Sequence, residues 1–164
     1  MIIRLAAAAD IPAIMAVLEA ARGIMRASGN PSQWPDGYPT AAMVEEDISR
    51  GVGHVFEAPD SLIAGYFACI PGPDPTYSCI EGGAWLEDTQ PYYVIHRIAS
   101  FPQVHGIFEG IIGHVSCLTD NIRIDTHRDN KIMQHLLERH GFSYCGVIYL
   151  LNGSPRLAYQ RVIL

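Results

Sequence analysis

Much that would settle a function quickly is missing from this chain. No apolar run reaches the ~20 residues of a membrane-spanning helix. Cys69, Cys79, Cys117 and Cys145 are widely spaced and form no CxxC pair, which excludes a zinc ribbon or a thioredoxin motif. Four scattered cysteines read as reduced thiols. Met1-Ile2-Ile3-Arg4 lacks the basic segment and long apolar stretch of a secretory signal, so a cytoplasmic location is expected. Walker A, GxGxxG, GxSxG and HExxH patterns are all absent, which argues against nucleotide-loop, hydrolase and zinc-protease chemistry. His135 and His140 stand five apart, off the i,i+4 spacing of a helical metal pair, and no metal is expected. There is no internal repeat, low-complexity tract or linker.

What is present suits one domain spanning residues 1–164. The chain is 164 residues long, and 49% of them are apolar, enough to bury a sizeable core. A net charge of −6 argues against nucleic acid as a partner. The charge is uneven. Residues 1–91 carry four Lys/Arg against twelve Asp/Glu, and residues 92–164 carry seven against five. Six of the seven histidines also lie in the second part. That distribution fits a polyanion site in the second half and a cation-friendly site in the first, or chance.

Periodicity and punctuation set out the elements. Ile2–Leu5 reads as a strand. Asp10 and Pro12 open a helix whose apolar residues Ile11, Ile14, Met15, Leu18, Ala21 and Met25 recur at helical spacing, ending before Gly29-Asn30-Pro31. Thr40 caps a second helix to about Arg50, with Ala41, Val44 and Ile48 inward and Glu45, Glu46 and Asp47 on its wet face. His54–Glu57 and Leu62–Ile70 form a hairpin. Residues 71–91 are a long irregular stretch, uncommon in a small domain and often functional. From Tyr92 the order becomes strand, glycine turn with helix, strand, helix, strand, strand. The predicted class is α/β (α+β): a mixed central sheet of about seven strands with flanking helices and at least one parallel crossover.

The strand Tyr92–Ser100, the turn with Gly106 and Gly110, and the helix after it can form an anion site, because a helix start offers unpaired N–H groups and a positive dipole end. A plain tight turn has the same signature.

The stretch IHRIAS (95–100) with His105-Gly106, then NIRIDTHRDN (121–130), then Met133-Gln134, Leu136-Leu137-Glu138 and Gly141-Phe142, resembles the GNAT superfamily of N-acetyltransferases. The order of elements agrees along the whole chain. The resemblance implies the acyl-CoA N-acyltransferase fold and acetyl-CoA as co-substrate, with no metal. The fourth and fifth strands should run parallel and splay, and pantetheine should pair with main chain near Ile98 and Ser100. Without gaps the pyrophosphate loop falls on His105, Gly106, Ile107, Phe108, Glu109 and Gly110, flanked by Lys131 and Arg128, with Phe108 where the family has glycine; an alternative register, Gln103 to Phe108, keeps a Gln and a Gly but ends in Phe. Asn130 matches a residue beside the pantetheine. The tyrosine that often protonates the leaving thiolate falls at Leu137, and Tyr144 is a nearby phenol.

For the proton from the amine, His96 is the candidate base, since imidazole titrates close to working pH. It reads equally as a structural histidine bonded to backbone. Asp125 and His127 are second candidates, and a bulge in the fourth strand is expected to free an N–H for the oxyanion. Trp34, Tyr38, Glu81 and Trp85 are the candidate acceptor residues, aromatic and acidic groups that suit a small cation. The implied activity is acetyl transfer to a primary amine of a small-molecule or amino-acid-like acceptor. The expected partner is that acceptor, with a homodimer admitted and no membrane or nucleic acid. A catalytically impaired binding or regulatory module of the same fold is the alternative, motivated by the degenerate loop and the missing tyrosine.

Overall fold

The computed structural model describes residues 1–163, so Leu164, the end of the expected domain, lies outside the described residues. Seven strands form one mixed sheet in the order β1-β2-β3-β4-β5-β7-β6. They are β1 (Ile2–Leu5), β2 (Gly53–Glu57), β3 (Ile63–Pro71), β4 (Tyr93–Ser100), β5 (Asn121–Thr126), β6 (Ser143–Tyr149) and β7 (Pro155–Val162). Four helices flank it: α1 (Ile11–Ala27), α2 (Ala41–Ser49), α3 (Ile107–Ser116) and α4 (Lys131–Arg139).

Most start signals act as the sequence predicts. Thr40 accepts from the Met43 N–H and Asn130 from the Met133 N–H, each satisfying an orphan donor of its helix. Asp10 differs. It precedes α1, but its carboxylate takes the Ala7 N–H and the Arg4 guanidinium instead of capping the helix. The third helix has ten residues.

One face of the sheet is covered by α3 and α4, whose Phe108, Ile111, Val115 and Leu137 pack on Phe67, Ile95, Ile122 and Ile124. The other face is shared. Helices α1 and α2 cover the half with β2 and β3, burying Ile14, Leu18 and Val44 against Val55 and Tyr66. The stretch between β3 and β4 covers the rest, with Tyr77 and Trp85 on Val94, Ile148 and Ala158. Burying each such side chain stabilises the fold by roughly 1.5–3 kcal/mol. Arg123 anchors this cover. Its guanidinium lies between the Trp85 and Tyr92 rings, 4.0 and 3.9 Å from their centroids, and donates to the Glu87 carbonyl and Asp88. A close approach finishes the seal: a Cβ on Gly83 would sit 2.0 Å from the Cys145 carbonyl oxygen.

Two irregularities place the site. Strands β4 and β5 run parallel, but only Tyr93 with Ile122 and Val94 with Arg123 are in register, so the strands part beyond those pairs. On the other side of β4, His96 faces Ala68 and Ala99 faces Tyr66, leaving Arg97 and Ile98 opposite Phe67 alone. That is the expected bulge, and Arg97 adopts φ +55° within it.

A buried ionic cluster holds the bulge. Arg97 donates Nε and Nη2 to the two carboxylate oxygens of Asp47 at 2.8 and 2.6 Å, and the Tyr66 hydroxyl donates to the same carboxylate at 2.6 Å. Burial and then the bond to Asp47 push the Tyr66 phenol well above its ordinary value. Asp47, expected on the wet face of its helix, is thus a correction: its side chain is 3% exposed. Helical spacing cannot reveal that a partner arrives from β4.

Candidate active site

The splay opens two clefts that meet in the middle. The first, about 500 Å³, lies between the start of α3, the start of α4 and β4. The second, about 590 Å³, lies between β4, β5, the hairpin of β6 and β7, and the loop after α1. Met25, Ile98, Asn130 and Met133 line both, so the space is continuous.

The first cleft is a donor surface. Gly106 takes φ +78° before α3, a conformation glycine adopts without strain. The N–H groups of Gly106 to Glu109 have no partner among the described residues, and the first α3 bond starts from Gly110. His105, Lys131, Arg139 and His140 add positive or protonatable groups. Phe108, which replaces the usual glycine, is no obstruction. Its ring turns into the core and packs on Phe142 and His140. Glu109 points outward, 3.7 Å from His140 Nε2. Ile98 and Ser100 border the same cleft, where β4 has lost its β5 neighbour and can pair with an extended amide chain. Gly110 is a correction: it belongs to the first turns of α3 and faces Phe56, where a Cβ would come within 2.8 Å of that ring. Arg128 is exposed and borders neither cleft, and Leu137 is wholly buried.

The second cleft holds the titratable groups. His96 Nε2 lies 3.3 Å from Asp74 Oδ2, and Asp74 Oδ1 accepts from the Thr76 N–H and hydroxyl at 2.9 and 2.7 Å. An ionised Asp74 keeps the proton on Nε2 and leaves the Nδ1 lone pair free. Burial alone would raise the Asp74 carboxyl, but hydrogen bonds from His96 and Thr76 outweigh it and hold its pKa at about 2. Asp125 borders the same cleft and accepts from the buried Tyr77 hydroxyl at 2.6 Å. Trp34 and Tyr38 close one wall.

The sign of the Asp74 effect is testable. Its carboxyl lies below the ordinary 3.8, so its contribution to stability is complete above that value and is lost as pH falls toward the folded value. Melting temperature followed from about pH 5 to about pH 2 should fall more steeply in wild type than in Asp74→Asn. Parallel curves would refute the His96–Asp74 pair.

Three expected residues lie elsewhere. Trp85 packs on Arg123 and donates its indole N–H to the Tyr77 carbonyl, so it builds the cover and borders no cleft. Glu81 bridges to Val147 and accepts from the Tyr149 hydroxyl at the far edge of the sheet. Tyr144 is 52% exposed and packs edge-on to Tyr159, away from both clefts. His127 lies beside the site and takes the Asp129 N–H on Nδ1; burial, then the Arg156 charge, lowers its pKa. Sequence reasoning missed Asp74, Arg139, Arg156 and Gln33. The last accepts from Asn130 Nδ2 at 3.0 Å and ties the loop after α1 to the start of α4. The one sequence signal was the position of Asp74 between two prolines in the long irregular stretch.

No family model and no curated protein matches the sequence. Solved structures do. A GNAT-family acetyltransferase from Streptococcus agalactiae is 36% identical, with a TM-score of 0.87 over 99% of this chain and 95% of that one.

The chain belongs to the GNAT family.

A second GNAT acetyltransferase, from Listeria monocytogenes, shares 22% identity and a TM-score of 0.70 over 99% and 94% of the two chains. A ribosomal-protein-alanine N-acetyltransferase from Brucella melitensis shares 16% identity and a TM-score of 0.62 over 99% and 100%, a likeness of fold alone. The seven-stranded mixed sheet with four flanking helices is the GNAT acyl-CoA N-acyltransferase fold. GNAT acetyltransferases use acetyl-CoA as co-substrate, and acetyl transfer is the general activity that the relatives support. Among the described residues no group of side chains could hold a metal ion, and no helix is long and apolar enough to cross a membrane.

Proposed function

We propose that this GNAT protein transfers the acetyl group of acetyl-CoA to a primary amine of a small-molecule or amino-acid-like acceptor. The supporting observation is the continuity of two spaces: a row of free N–H groups at Gly106–Glu109 leads along the unpaired edge of β4 to the His96–Asp74 pair. The residues fit acetyl-CoA. The amides at the start of α3, with Lys131 and Arg139, would hold its phosphates, and main chain at Ile98 and Ser100 would hold its amide arm. Acetyl-CoA would supply an activated thioester: its carbonyl carbon bonds to the amine nitrogen, the C–S bond breaks, and CoA leaves as the thiolate, which takes a proton to become the free thiol.

The chain's own groups do the rest. Asp74 orients the His96 imidazole, and its Nδ1 takes a proton from the ammonium or from the amine as it attacks. The bulge at Arg97 and Ile98 interrupts the ladder and presents backbone N–H to the developing oxyanion. Trp34 and Tyr38 narrow the acceptor side and reduce its water content. The binding-module alternative had two motives, Phe108 in the loop and Leu137 where the family often has tyrosine; the Phe108 ring lies in the core and leaves the loop N–H groups open, Leu137 is buried, and no observation favours the alternative.

Calorimetry tests the donor half. Wild type should bind CoA, and Gly106→Pro should weaken binding at least about tenfold, because proline removes an N–H and cannot adopt positive φ. Equal affinities would move the phosphates elsewhere. Thiol release on mixing acetyl-CoA with amines tests the transfer itself.

A further inference from the structure

Arg156 is out of keeping with the other buried cations. Arg123 is more buried and Arg97 nearly as buried, and each meets a carboxylate, Asp88 and Asp47 respectively. Arg156 is 8% exposed, yet no Asp or Glu lies within 4.0 Å of it among the described residues. Its one protein bond runs from Nη1 to the Pro155 carbonyl at 2.9 Å. Nε and Nη2 have no hydrogen-bond partner among the described residues, and Arg156 lines the acceptor cleft. Burial lowers the pKa of this guanidinium, with the fields of Asp125 and Tyr38 acting the other way. A buried cation with no carboxylate in direct contact is costly and selects for an anion that completes it.

The cleft is therefore bipolar. Asp74 and Asp125 sit beside His96 where β4 and β5 part, and they suit an ammonium group. Arg156 sits across from Ile148 on β7, beside the hairpin that ends β6, and presents a planar fork of donors.

We propose that the acceptor is a primary amine that also carries a carboxylate or comparable oxyanion, and that Arg156 anchors that acidic group. This rests on the acetyl-transfer reading and narrows it: polyamines and other dications would meet a fixed positive charge and be rejected.

The test uses matched pairs. Purified protein with acetyl-CoA is offered L-amino acids against their amides, and 2-aminoethylphosphonate against ethanolamine, with thiol release as readout. The acids should exceed their neutral partners in kcat/KM by about 30-fold or more, the scale of a charge-assisted bidentate contact. Arg156→Gln should bring that ratio close to one, and Arg156→Lys should keep part of it while melting like wild type. Neutral amines matching the acids in wild type, or a ratio that survives Arg156→Gln, would overturn the proposal. Calorimetry of the same acids without acetyl-CoA separates the two readings. Acids that bind wild type but not Arg156→Gln, in a protein that releases no thiol, refute acetyl transfer and support the anion site. Thiol release without acid preference does the reverse.

Discussion

Replacing His96 with alanine should lower kcat about 10²- to 10⁴-fold, the range for a lost general base. The KM for acetyl-CoA should change little, because His96 borders the acceptor cleft and not the donor cleft. Stability should fall modestly, because the bond that helps hold the Asp74 carboxyl low is lost, but the side chain is 27% exposed and its one hydrogen-bonding side-chain partner is Asp74. Asp74→Asn should reduce kcat by less: the asparagine keeps a polar partner near Nε2 but withdraws the anion that steadies the imidazolium as it forms. Melting temperature and kcat measured on one preparation separate catalysis from packing. A folded His96→Ala protein with normal turnover would return the base to Asp125 or to an ordered water.

The second large effect falls far from the chemistry. Asp47→Ala leaves the Arg97 guanidinium and the Tyr66 hydroxyl without their shared partner in a buried setting. Breaking a buried pair from one side costs roughly 3–5 kcal/mol, about 10 °C of melting temperature in a domain of this size. Arg97 would also lose the contact that holds its positive φ, so the bulge should relax and CoA affinity should fall with stability. Asp47→Asn, which keeps one acceptor oxygen, should cost less in both. A melting temperature within about 2 °C of wild type in Asp47→Ala would show that the cluster does not hold the bulge. Retained CoA affinity in a strongly destabilised variant would show that the bulge is held by the sheet alone.

These two sites differ in how far they could be read in advance. His96 was visible as an imidazole on a strand that resembles the GNAT fourth strand, but its partner was not, because Asp74 lies 22 residues away in an irregular stretch with no periodicity to read. Asp47 was visible only as one of three consecutive acids and looked solvated. Its role depends on α2 lying over β3 and β4, which brings Tyr66 and Arg97 to it across 19 and 50 residues. Aromatic and acidic character alone suggested Glu81 and Trp85 as acceptor residues. The register of the cover over β6 and the demand of Arg123 for two aromatic faces sent both elsewhere.

The excess of cations and histidines after residue 91 proved more informative than any single motif. Lys131, Arg139, His105 and His140 all line the donor cleft, brought together because α3 and α4 start at the same end of neighbouring crossovers. From the sequence alone came the elements and their order, the turn at Gly106, the caps at Thr40 and Asn130, and the family resemblance. Each of these is set within a few residues, by side-chain spacing, an orphan N–H or a glycine's freedom at positive φ. Only the tertiary structure decided which charges are paired and which are left open: Asp47 with Arg97, Asp74 with His96, Arg123 with Asp88, and Arg156 with none. Pairing depends on sheet order and register, which bring together residues 22 to 50 positions apart, and no local pattern in the chain records which partner will arrive.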